Sequence, residues 1–319
     1  GMKKHHYRLG IDTGGTFTDF MLVGETGGAR LYKAPSRPDD PPAAVDEGLE
    51  QISTELGCTK QEFLYDCDLI ILGTTVGVNA LLEKKGAVTG LFCTAGHEDS
   101  LEIRLGHKED GERYNADFPQ APMLVSRALR VGIRERLLST GEVRTPLNIQ
   151  DVIRGVQIFK EAGVEAIAVS LLWSFLSPVH ERKIGEIVRE EFPEAYLTLS
   201  VDLLPQIREY TRTSTTVVNA YIGPIIKDYV EGMEAFLRKL GFPNQVRYMQ
   251  SNGGLTSGRF LRDKGVYALN SGPAAGPNAG TYFAASRGVS NVITVDMGGT
   301  SFDISLSKNG RTAVVKDSD

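Results

Sequence analysis

The sequence predicts an α/β fold in which a mainly parallel sheet is covered by helices. Short apolar runs that are typical of strands alternate with segments whose apolar residues recur at helical spacing. Glycine and proline lie at the ends of these segments, where turns and helix termini need them. A composition of 41% hydrophobic and 24% charged residues over 319 residues is typical of one large or two globular domains.

Glycines organise the first part of the chain. Turns at 14–15 and 27–28 separate the three strands of a meander, and Gly57 and Gly86 end the two helices that follow. Strands and helices then alternate, which favours parallel pairing. The predicted strands cover 7–11, 17–23, 29–34, 69–72 and 88–94, and the predicted helices cover 44–56 and 76–85.

The segment 97–143 interrupts this alternation and is predicted to be an inserted, loop-rich excursion. Beyond it, Ser177 is predicted to cap a helix that has Pro178 as its first residue. Gly223 and Pro224 are predicted to kink or restart a long helix. The predicted helices of this part cover 149–162, 178–191, 213–240 and 273–287, and the predicted strands cover 166–173, 195–199 and 246–250.

Charge and cysteine content exclude several classes of protein. A formal net charge of -5 and a pI near 5.7 provide no basic surface for nucleic acid or an anionic membrane. The three cysteines fit neither a zinc site nor a disulfide framework, which favours free thiols in a reducing compartment. The longest apolar run, 166–176, is too short to span a bilayer. We therefore expect a cytoplasmic protein without a nucleic-acid or membrane partner.

Two windows, 12–19 and 296–303, share the pattern Asp-x-Gly-Gly-Thr-x-x-Asp. In each, an apolar strand delivers an aspartate to a turn, and two glycines let the backbone approach an oxyanion closely. One Gly-Gly hairpin is usually structural, but two copies with identical spacing are hard to attribute to turn geometry alone. We predict that both hairpins bind nucleotide phosphates and that Asp12 and Asp296 hold Mg²⁺. The predicted phosphate-binding residues of the two hairpins are Thr13, Gly14, Gly15, Thr16, Gly298, Gly299 and Thr300.

The repeated hairpin also predicts a repeated architecture. Two similar lobes would each contribute one hairpin to a nucleotide held between them. The first lobe would be complete here and the second only begun, so we expect this chain by itself to bind nucleotide weakly or not at all and to be inactive as an enzyme. The sequence contains neither a G-x-x-x-x-G-K-[ST] string nor a helix-opening G-x-G-x-x-G, which excludes the two commonest nucleotide-binding folds.

Three long strings, at 73–86, 207–224 and 249–255, resemble the hydantoinase A / 5-oxoprolinase family. That family includes the ATPase-type subunits of acetone and acetophenone carboxylases. The two hairpins resemble those of the actin, hexokinase and heat-shock chaperone ATPase superfamily. The resemblance implies an actin-like (ribonuclease H-like) ATPase fold. It also implies an N-terminal region over 7–200, with the insertion at about 97–143, and the start of a core domain over 201–319 that contains the second hairpin at 292–306.

The resemblance further implies what the whole protein does. It would hydrolyse cyclic amides of the hydantoin or 5-oxoproline type, or serve as the ATPase-type subunit of a ketone carboxylase. In either case it would use ATP and Mg²⁺ to phosphorylate a carbonyl oxygen. A second, hydantoinase B-like subunit is the implied partner. The alternatives are a chaperone- or actin-like module that couples nucleotide state to a protein partner, and a sugar kinase, which the family strings fit badly.

Further site residues are predicted within the family strings, each with an ordinary structural alternative. Thr74 and Thr75 are predicted to bind the nucleotide, and helix capping explains them equally well. Arg212 and Glu209 are predicted to be catalytic, whereas charges on a helix are usually a salt-bridged face. The predicted substrate contacts are Asn79, Ser251 and Asn252, although Asn-Gly turns are ordinarily structural.

Overall fold

The computed structural model describes residues 5–104, 114–117, 122–269, 271–297 and 302–313. The chain divides into two compact units, which are unit 1 (residues 1–84 and 226–319) and unit 2 (residues 85–225). The predicted domain boundary at 200/201 stays a prediction. Within the described part of the chain, no helix combines the length and hydropathy needed to cross a bilayer.

The elements agree in kind with most of those predicted. The strands are β1 (Tyr7–Thr13), β2 (Phe17–Val23), β3 (Ala29–Pro35), β4 (Cys67–Thr74), β5 (Thr89–Thr94), β6 (Arg130–Ile133), β7 (Arg136–Leu137), β8 (Val143–Thr145), β9 (Ala166–Ser170), β10 (Tyr196–Leu199), β11 (Arg247–Met249), β12 (Leu255–Ser257), β13 (Val292–Met297), β14 (Phe302–Lys308) and β15 (Arg311–Thr312). The helices are α1 (Pro41–Leu56), α2 (Lys60–Tyr65), α3 (Val76–Leu82), α4 (Ser100–Ile103), α5 (Ile149–Glu161), α6 (Val179–Glu191), α7 (Ser200–Leu203), α8 (Glu209–Lys239), α9 (Gly258–Asp263) and α10 (Ser271–Ala285).

Unit 1 is built on a six-stranded sheet in the order β12-β11-β4-β1-β2-β3. The pairs β1–β4 and β4–β11 are parallel, whereas β1–β2, β2–β3 and β11–β12 are antiparallel. The antiparallel pairs β1–β2 and β2–β3 are those of the predicted meander. The parallel pairing predicted beyond the meander holds for β1–β4 and β4–β11 but not for β11–β12, where a tight turn imposes antiparallel pairing. Since β1, β4 and β11 run in the same direction, their carboxyl ends meet at one edge of the sheet.

One face of this sheet forms a core. Leu9, Ile11 and Phe20 are at most 2% exposed, and α1 packs on β2 and β3. Gly48 of α1 allows a close approach, because a Cβ there would lie 2.1 Å from the Phe20 ring. On the opposite face, Leu31 is 77% exposed.

Unit 2 is built on a four-stranded sheet in the order β10-β9-β5-β6, and all three pairs are parallel. Every residue of β5 and β9 is buried, as expected for a parallel sheet with two covered faces. Helices α5 and α6 cover one face, where the rings of Phe92 and Phe159 lie 4.8 Å apart. The first half of α8 covers the other through Val217 and Ala220.

The structure corrects several predicted elements. The segment 97–143 is not only an excursion, because β6 within it forms the edge of the parallel sheet. Helix α8 runs through Gly223 and Pro224 without a restart, since the Tyr196 ring packs where a Cβ on Gly223 would lie. Pro178 occupies the N-cap of α6 instead of its first turn. Strand β9 ends at Ser170, three residues before the predicted end.

Candidate functional site

The turn between β1 and β2 is closed by the backbone and requires glycine at position 14. The Gly14 amide donates to the Phe17 carbonyl oxygen at 3.0 Å. A Cβ on Gly14 would lie 2.7 Å from that same oxygen, closer than a side chain tolerates. The Thr16 carbonyl accepts a hydrogen bond from the Ser36 amide at 2.9 Å, which ties the turn to the end of β3. The predicted phosphate-binding hairpin is therefore a tight, fixed turn.

Asp12 lies at the end of β1, beside Gly73 of the parallel strand β4. A Cβ on Gly73 would approach the Asp12 Oδ1 atom to 3.0 Å, so glycine makes room for the carboxylate. Across the hairpin, Asp12 pairs in register with Asp19. The Asp19 carboxylate forms an ion pair with the Lys33 ammonium group at 3.1 Å, and both side chains are more than half exposed. Asp19 is thus held by a contact at the surface.

The β4–α3 loop lies against this hairpin. Both the amide and the hydroxyl of Thr75 donate to the Thr13 carbonyl, at 3.2 and 3.3 Å. The side-chain amide of Asn79 donates through Nδ2 to the Thr75 hydroxyl at 3.2 Å. The same Nδ2 atom lies 3.5 Å from the position that a Cβ on Gly15 would occupy. The Thr74 hydroxyl accepts from the backbone amide at position 76, which is the ordinary role of a threonine before a helix. The structure thus brings Thr75 and Asn79 to the predicted phosphate turn.

Tyr229 of α8 supports the hairpin from inside unit 1. Its hydroxyl lies 3.0 Å from the Thr13 hydroxyl in a buried hydrogen bond, and it also interacts with the Thr74 side chain. Burial raises the pKa of Tyr229 to about 12, so the phenol stays protonated and can donate. The sequence motifs do not include this residue. Its spacing from Ile226 and Val230 is that of any buried helix face, so no sequence signal marks it.

The second hairpin repeats the register of the first. Six residue pairs join β13 to β14, and they correspond one to one to the six pairs that join β1 to β2. Asp296 lies opposite Asp303 as Asp12 lies opposite Asp19. The predicted duplication therefore extends from the motif to the strand pairing around it. Gly298, Gly299 and Thr300 lie outside the described residues.

Ser251 and Asn252 lie in the turn after β11. Strand β11 ends at the same edge of the sheet as β1, the strand that carries Asp12. The Ser251 hydroxyl donates to the backbone carbonyls of Tyr267, at 2.9 Å, and Leu269. The Asn252 side chain accepts from the Gly254 amide at 2.8 Å. The Asn252 bond lies within the turn, and the Ser251 bonds tie the turn to the segment at 267–269. Their substrate role stays a prediction.

Arg212 belongs to unit 2 and is 1% exposed. Its guanidinium donates to the carbonyls of Leu171 at 2.6 Å and Gln206 at 2.9 Å, and burial lowers its pKa. Glu209 lies in the first turn of α8. The catalytic roles of Arg212 and Glu209 stay predictions, and the contacts of Arg212 are those of a residue that positions the backbone.

A cavity of about 240 Å³ opens on the exposed face of the unit 1 sheet. Asp12, Asp19 and Gly73 line part of it, and most of the remaining lining is apolar. A second cavity, of about 410 Å³ beside the end of α8, is lined by none of the predicted site residues. Within the described residues, no cluster of three or more His, Cys, Asp or Glu side chains could hold a metal ion.

The chain matches two family models, the hydantoinase/oxoprolinase N-terminal region over residues 8–192 and hydantoinase/oxoprolinase over residues 212–319. It is 53% identical to caprolactamase subunit alpha of Pseudomonas jessenii over 318 residues, covering 100% of this chain and 46% of the relative. The crystal structure of the ATP-dependent caprolactamase from that organism is similar with a TM-score of 0.86 at 52% identity, covering 94% of this chain and 44% of the other.

Nucleotide-free acetone carboxylase is similar as well. Its TM-score is 0.88 at 27% identity, and the similarity covers 96% of this chain and 44% of that one. The chain therefore spans less than half the length of these relatives.

Proposed function

The chain belongs to the hydantoinase/oxoprolinase family, and from that premise we propose that it handles ATP in an enzyme that phosphorylates the carbonyl oxygen of its substrate. The substrate would be a cyclic amide, or a ketone if the whole protein is a carboxylase subunit. Its similarity to a protein named caprolactamase at 53% identity favours the cyclic amide. A chaperone- or actin-like role is not favoured, because these relatives are named as enzymes.

The duplicated hairpin is the observation that carries this proposal. Its first copy combines a turn that only glycine fits with a carboxylate over Gly73. Thr75 and Asn79 add polar groups beside the same turn. A phosphate chain needs closely approaching backbone amides and hydroxyl donors. We propose the backbone amides of Gly15 and Thr16 and the Thr16 hydroxyl for that role, on a turn to which Thr75 is hydrogen-bonded.

The residues fit Mg²⁺ as a partner of the phosphates. Mg²⁺ is usually bound by one or two carboxylates together with phosphate oxygens and water. We propose Asp12 and Asp296 as those carboxylates, directly or through water. Bound Mg²⁺ would offset the charge on the phosphate oxygens. Gly73 supports the choice of Asp12, because any larger residue would displace the carboxylate.

The proposed reaction makes a poor electrophile reactive. The carbonyl oxygen of a lactam attacks the γ-phosphorus of ATP, and the bond from that phosphorus to the bridging oxygen breaks to release ADP. Water then adds to the activated carbon and loses a proton to solvent or a base. The ring nitrogen takes up a proton and leaves that carbon, which opens the ring and gives an acyl phosphate. A second water then adds to the acyl carbon, and phosphate leaves with the former carbonyl oxygen to yield the amino acid. The protein would contribute positioning and charge stabilisation.

We further propose that the whole protein has the two-lobed actin-like architecture, with the second lobe built around β13 and β14. The sheet order of unit 1 supports the first lobe. Support for the second comes from four apolar residues that are 54% to 67% exposed, whereas their counterparts in the first hairpin are at most 2% exposed. The exposed residues are Ile293, Val295, Ile304 and Leu306, and their counterparts are Leu9, Ile11, Phe20 and Leu22.

Helices elsewhere in the whole protein would cover the four exposed residues, as α1 helps to cover the first hairpin. We also propose that residues 7–200 and 201–319 are the two regions of this architecture and that the protein is cytoplasmic. A partner subunit is also proposed, because the caprolactamase relative is named as a subunit.

The test is ATP turnover by the full-length protein with its partner subunit. Phosphate release would be measured with and without ε-caprolactam, 5-oxoproline, a hydantoin and acetone. We expect one of these carbonyl compounds to stimulate release strongly, and Asp12→Asn to abolish the stimulation. Lys33→Gln, which removes the exposed ion pair of Asp19, is the matched control and should retain it. Turnover that none of the carbonyl compounds changes would refute the proposal.

A further inference from the structure

Residues 171–176, which we call the Trp173 loop, follow β9 at the carboxyl edge of the parallel sheet of unit 2. Ligands of open α/β sheets usually bind at this edge. Trp173 has a φ of 60°, a left-handed conformation that a bulky residue rarely adopts. Such strain persists only where surrounding contacts impose it. Here the contacts that hold the loop come from buried ionisable side chains.

Ionisable side chains hold the start of the loop from two sides. Glu181 is fully buried, and its carboxylate accepts from the Leu171 amide at 2.9 Å. Arg212 donates to the Leu171 carbonyl at 2.6 Å. The Ser200 hydroxyl, at the end of the neighbouring strand β10, donates to the same Glu181 carboxylate at 2.6 Å. Leu171 is thus fixed through both of its peptide groups.

A second buried pair holds the next residue. The Leu172 amide donates to the Thr94 hydroxyl at 3.0 Å, and that hydroxyl is bonded in turn to Glu135. The other carboxylate oxygen of Glu135 lies 2.6 Å from His180 Nδ1. Glu135 and His180 are both buried. The start of the loop is therefore held by a hydrogen-bond network that contains four buried ionisable side chains. These are Glu135, His180, Glu181 and Arg212.

These groups are costly to bury, and well-packed apolar residues would serve stability as well or better. Arg212 adds to that cost, because its Nε is buried without an acceptor among the described residues. A stability role therefore explains the network poorly. What the network does achieve is a fixed backbone at Leu171 and Leu172, the two residues before the strained Trp173.

The loop presents apolar groups. Trp173 and Phe175 are only partly buried, their rings lie 5.7 Å apart, and Leu176 is 48% exposed. The Arg212 guanidinium lies 5.2 Å from the centre of the Phe175 ring, which fixes that ring by a cation–π contact. A rigid aromatic surface of this kind suits an uncharged organic ring and offers little to a phosphate.

We propose that the Trp173 loop is a recognition site for the apolar part of an uncharged organic substrate, with Trp173 as its specificity-determining residue. Glu181 and Arg212 are positioning residues, which act on the ligand through the loop backbone. The identity of the ligand as a lactam or ketone rests on the proposed function. The loop geometry and the choice of Trp173 do not.

Trp173 is the sole tryptophan of this sequence, which gives a direct binding assay. The fluorescence of the full-length protein would be titrated with ε-caprolactam, acetone, 5-oxoproline and ATP. The difference between wild type and Trp173→Phe isolates the signal of Trp173. We expect a saturable change with ε-caprolactam, a weaker one with the charged 5-oxoproline, and none with ATP alone. A flat difference signal with every carbonyl compound, or a response to ATP alone, would overturn the proposal.

Kinetics provide the second arm. Trp173→Ala should raise the KM for the organic substrate at least about tenfold, the usual effect of losing an apolar contact, and leave the KM for ATP within about twofold. Ile158→Ala removes an apolar side chain that is 40% exposed on α5 of the same unit and is the matched control. Equal KM values for wild type and Trp173→Ala would refute the recognition role.

The two proposals can fail separately. If no carbonyl compound stimulates ATP turnover, the proposed function fails while the titration still tests the loop. If a carbonyl compound stimulates turnover, but the Trp173 fluorescence does not change and Trp173→Ala has the wild-type KM, only the loop proposal fails.

A positioning role for Glu181 is tested by its conservative variant. Glu181→Gln keeps an acceptor for the Leu171 amide and should retain the organic-substrate KM within about threefold, whereas Glu181→Ala should raise it about tenfold or more. The emission of Trp173 without ligand should shift only in Glu181→Ala. Identical emission and KM in both variants would exclude the positioning role.

Discussion

The carboxylate of Asp12 lies against Gly73 of the neighbouring parallel strand, at the point where a Cβ would approach Oδ1 to 3.0 Å. Two segments that are distant in sequence, the first hairpin and the β4–α3 loop, therefore specify one another's residues. The aspartate needs a glycine beside it, and the loop that follows the strand containing this glycine donates from Thr75 to the hairpin backbone.

Gly73→Ala tests this dependence. The added methyl group is expected to push the Asp12 carboxylate aside without unfolding unit 1, because only a side-chain atom has to move. ATP turnover by the full-length protein should fall at least about tenfold, and the Mg²⁺ concentration for half-maximal rate should rise. Urea unfolding should change by less than about 1 kcal/mol. Normal turnover in a folded Gly73→Ala protein would separate Asp12 from the chemistry.

The two glycines of the first turn should respond differently to alanine. In Gly14→Ala the new Cβ would lie 2.7 Å from the Phe17 carbonyl oxygen, so the backbone must move at a cost of about 1–3 kcal/mol. In Gly15→Ala the Cβ would meet only Asn79 Nδ2, at 3.5 Å, an ordinary contact. Gly15→Ala should leave the free energy of unfolding unchanged and still lower the rate of ATP turnover. Equal destabilisation by both variants would contradict the turn geometry.

Tyr229→Phe removes the buried hydroxyl behind the hairpin. The Thr13 hydroxyl then loses its partner, so the free energy of unfolding should fall by about 1–3 kcal/mol, and the KM for ATP should rise. Tyr248→Phe is the matched control, because its hydroxyl makes a longer bond of 3.4 Å to Glu234 in the same unit. Urea denaturation should show the smaller effect for Tyr248→Phe. The reverse order would contradict a supporting role for Tyr229.

Asp151 predicts how stability responds to acid. Hydrogen bonds from the Arg134 side chain hold the pKa of Asp151 at about 2, below its ordinary value of 3.8. A lowered folded-state pKa stabilises the protein above the ordinary value, and this contribution is lost as pH falls from about 4 to 2. With Arg134 63% exposed, the contribution is roughly 1–2 kcal/mol.

Asp151→Asn should therefore be less stable than wild type at pH 6, and the difference should shrink as pH approaches 2.5. Asp202→Asn, which breaks a half-exposed pair with Arg182, should differ little from wild type at either pH. A difference between Asp151→Asn and wild type that stays constant with pH would contradict this assignment.

Local patterns predicted much of the fold. The meander strands, α1 with its end at Gly57, and the second hairpin all follow from periodicity and glycine placement, which act within a few residues. The place of β11 and β12 in the unit 1 sheet and the unbroken α8 did not follow, because both depend on contacts between distant segments. Tyr196 packing against Gly223 is one such contact.

The candidate site divides in the same way. Asp12, Thr75 and Asn79 could be predicted because they lie within strings that carry their own spacing. Tyr229 could not, because a buried tyrosine on a helix looks the same in sequence whether or not its hydroxyl supports a loop. The four ionisable groups beneath the Trp173 loop come from segments around residues 135, 180 and 212, so only the fold brings them together.

The proposed reaction requires that the carbonyl oxygen of the substrate receive the γ-phosphoryl group of ATP. Full-length protein with its partner subunit would open a lactam labelled with ¹⁸O at the carbonyl, and the released phosphate would be analysed by mass spectrometry. We expect one ¹⁸O atom in the phosphate for each ring opened, since the carbonyl oxygen leaves bonded to phosphorus. Label that stays entirely in the amino-acid product would contradict the account.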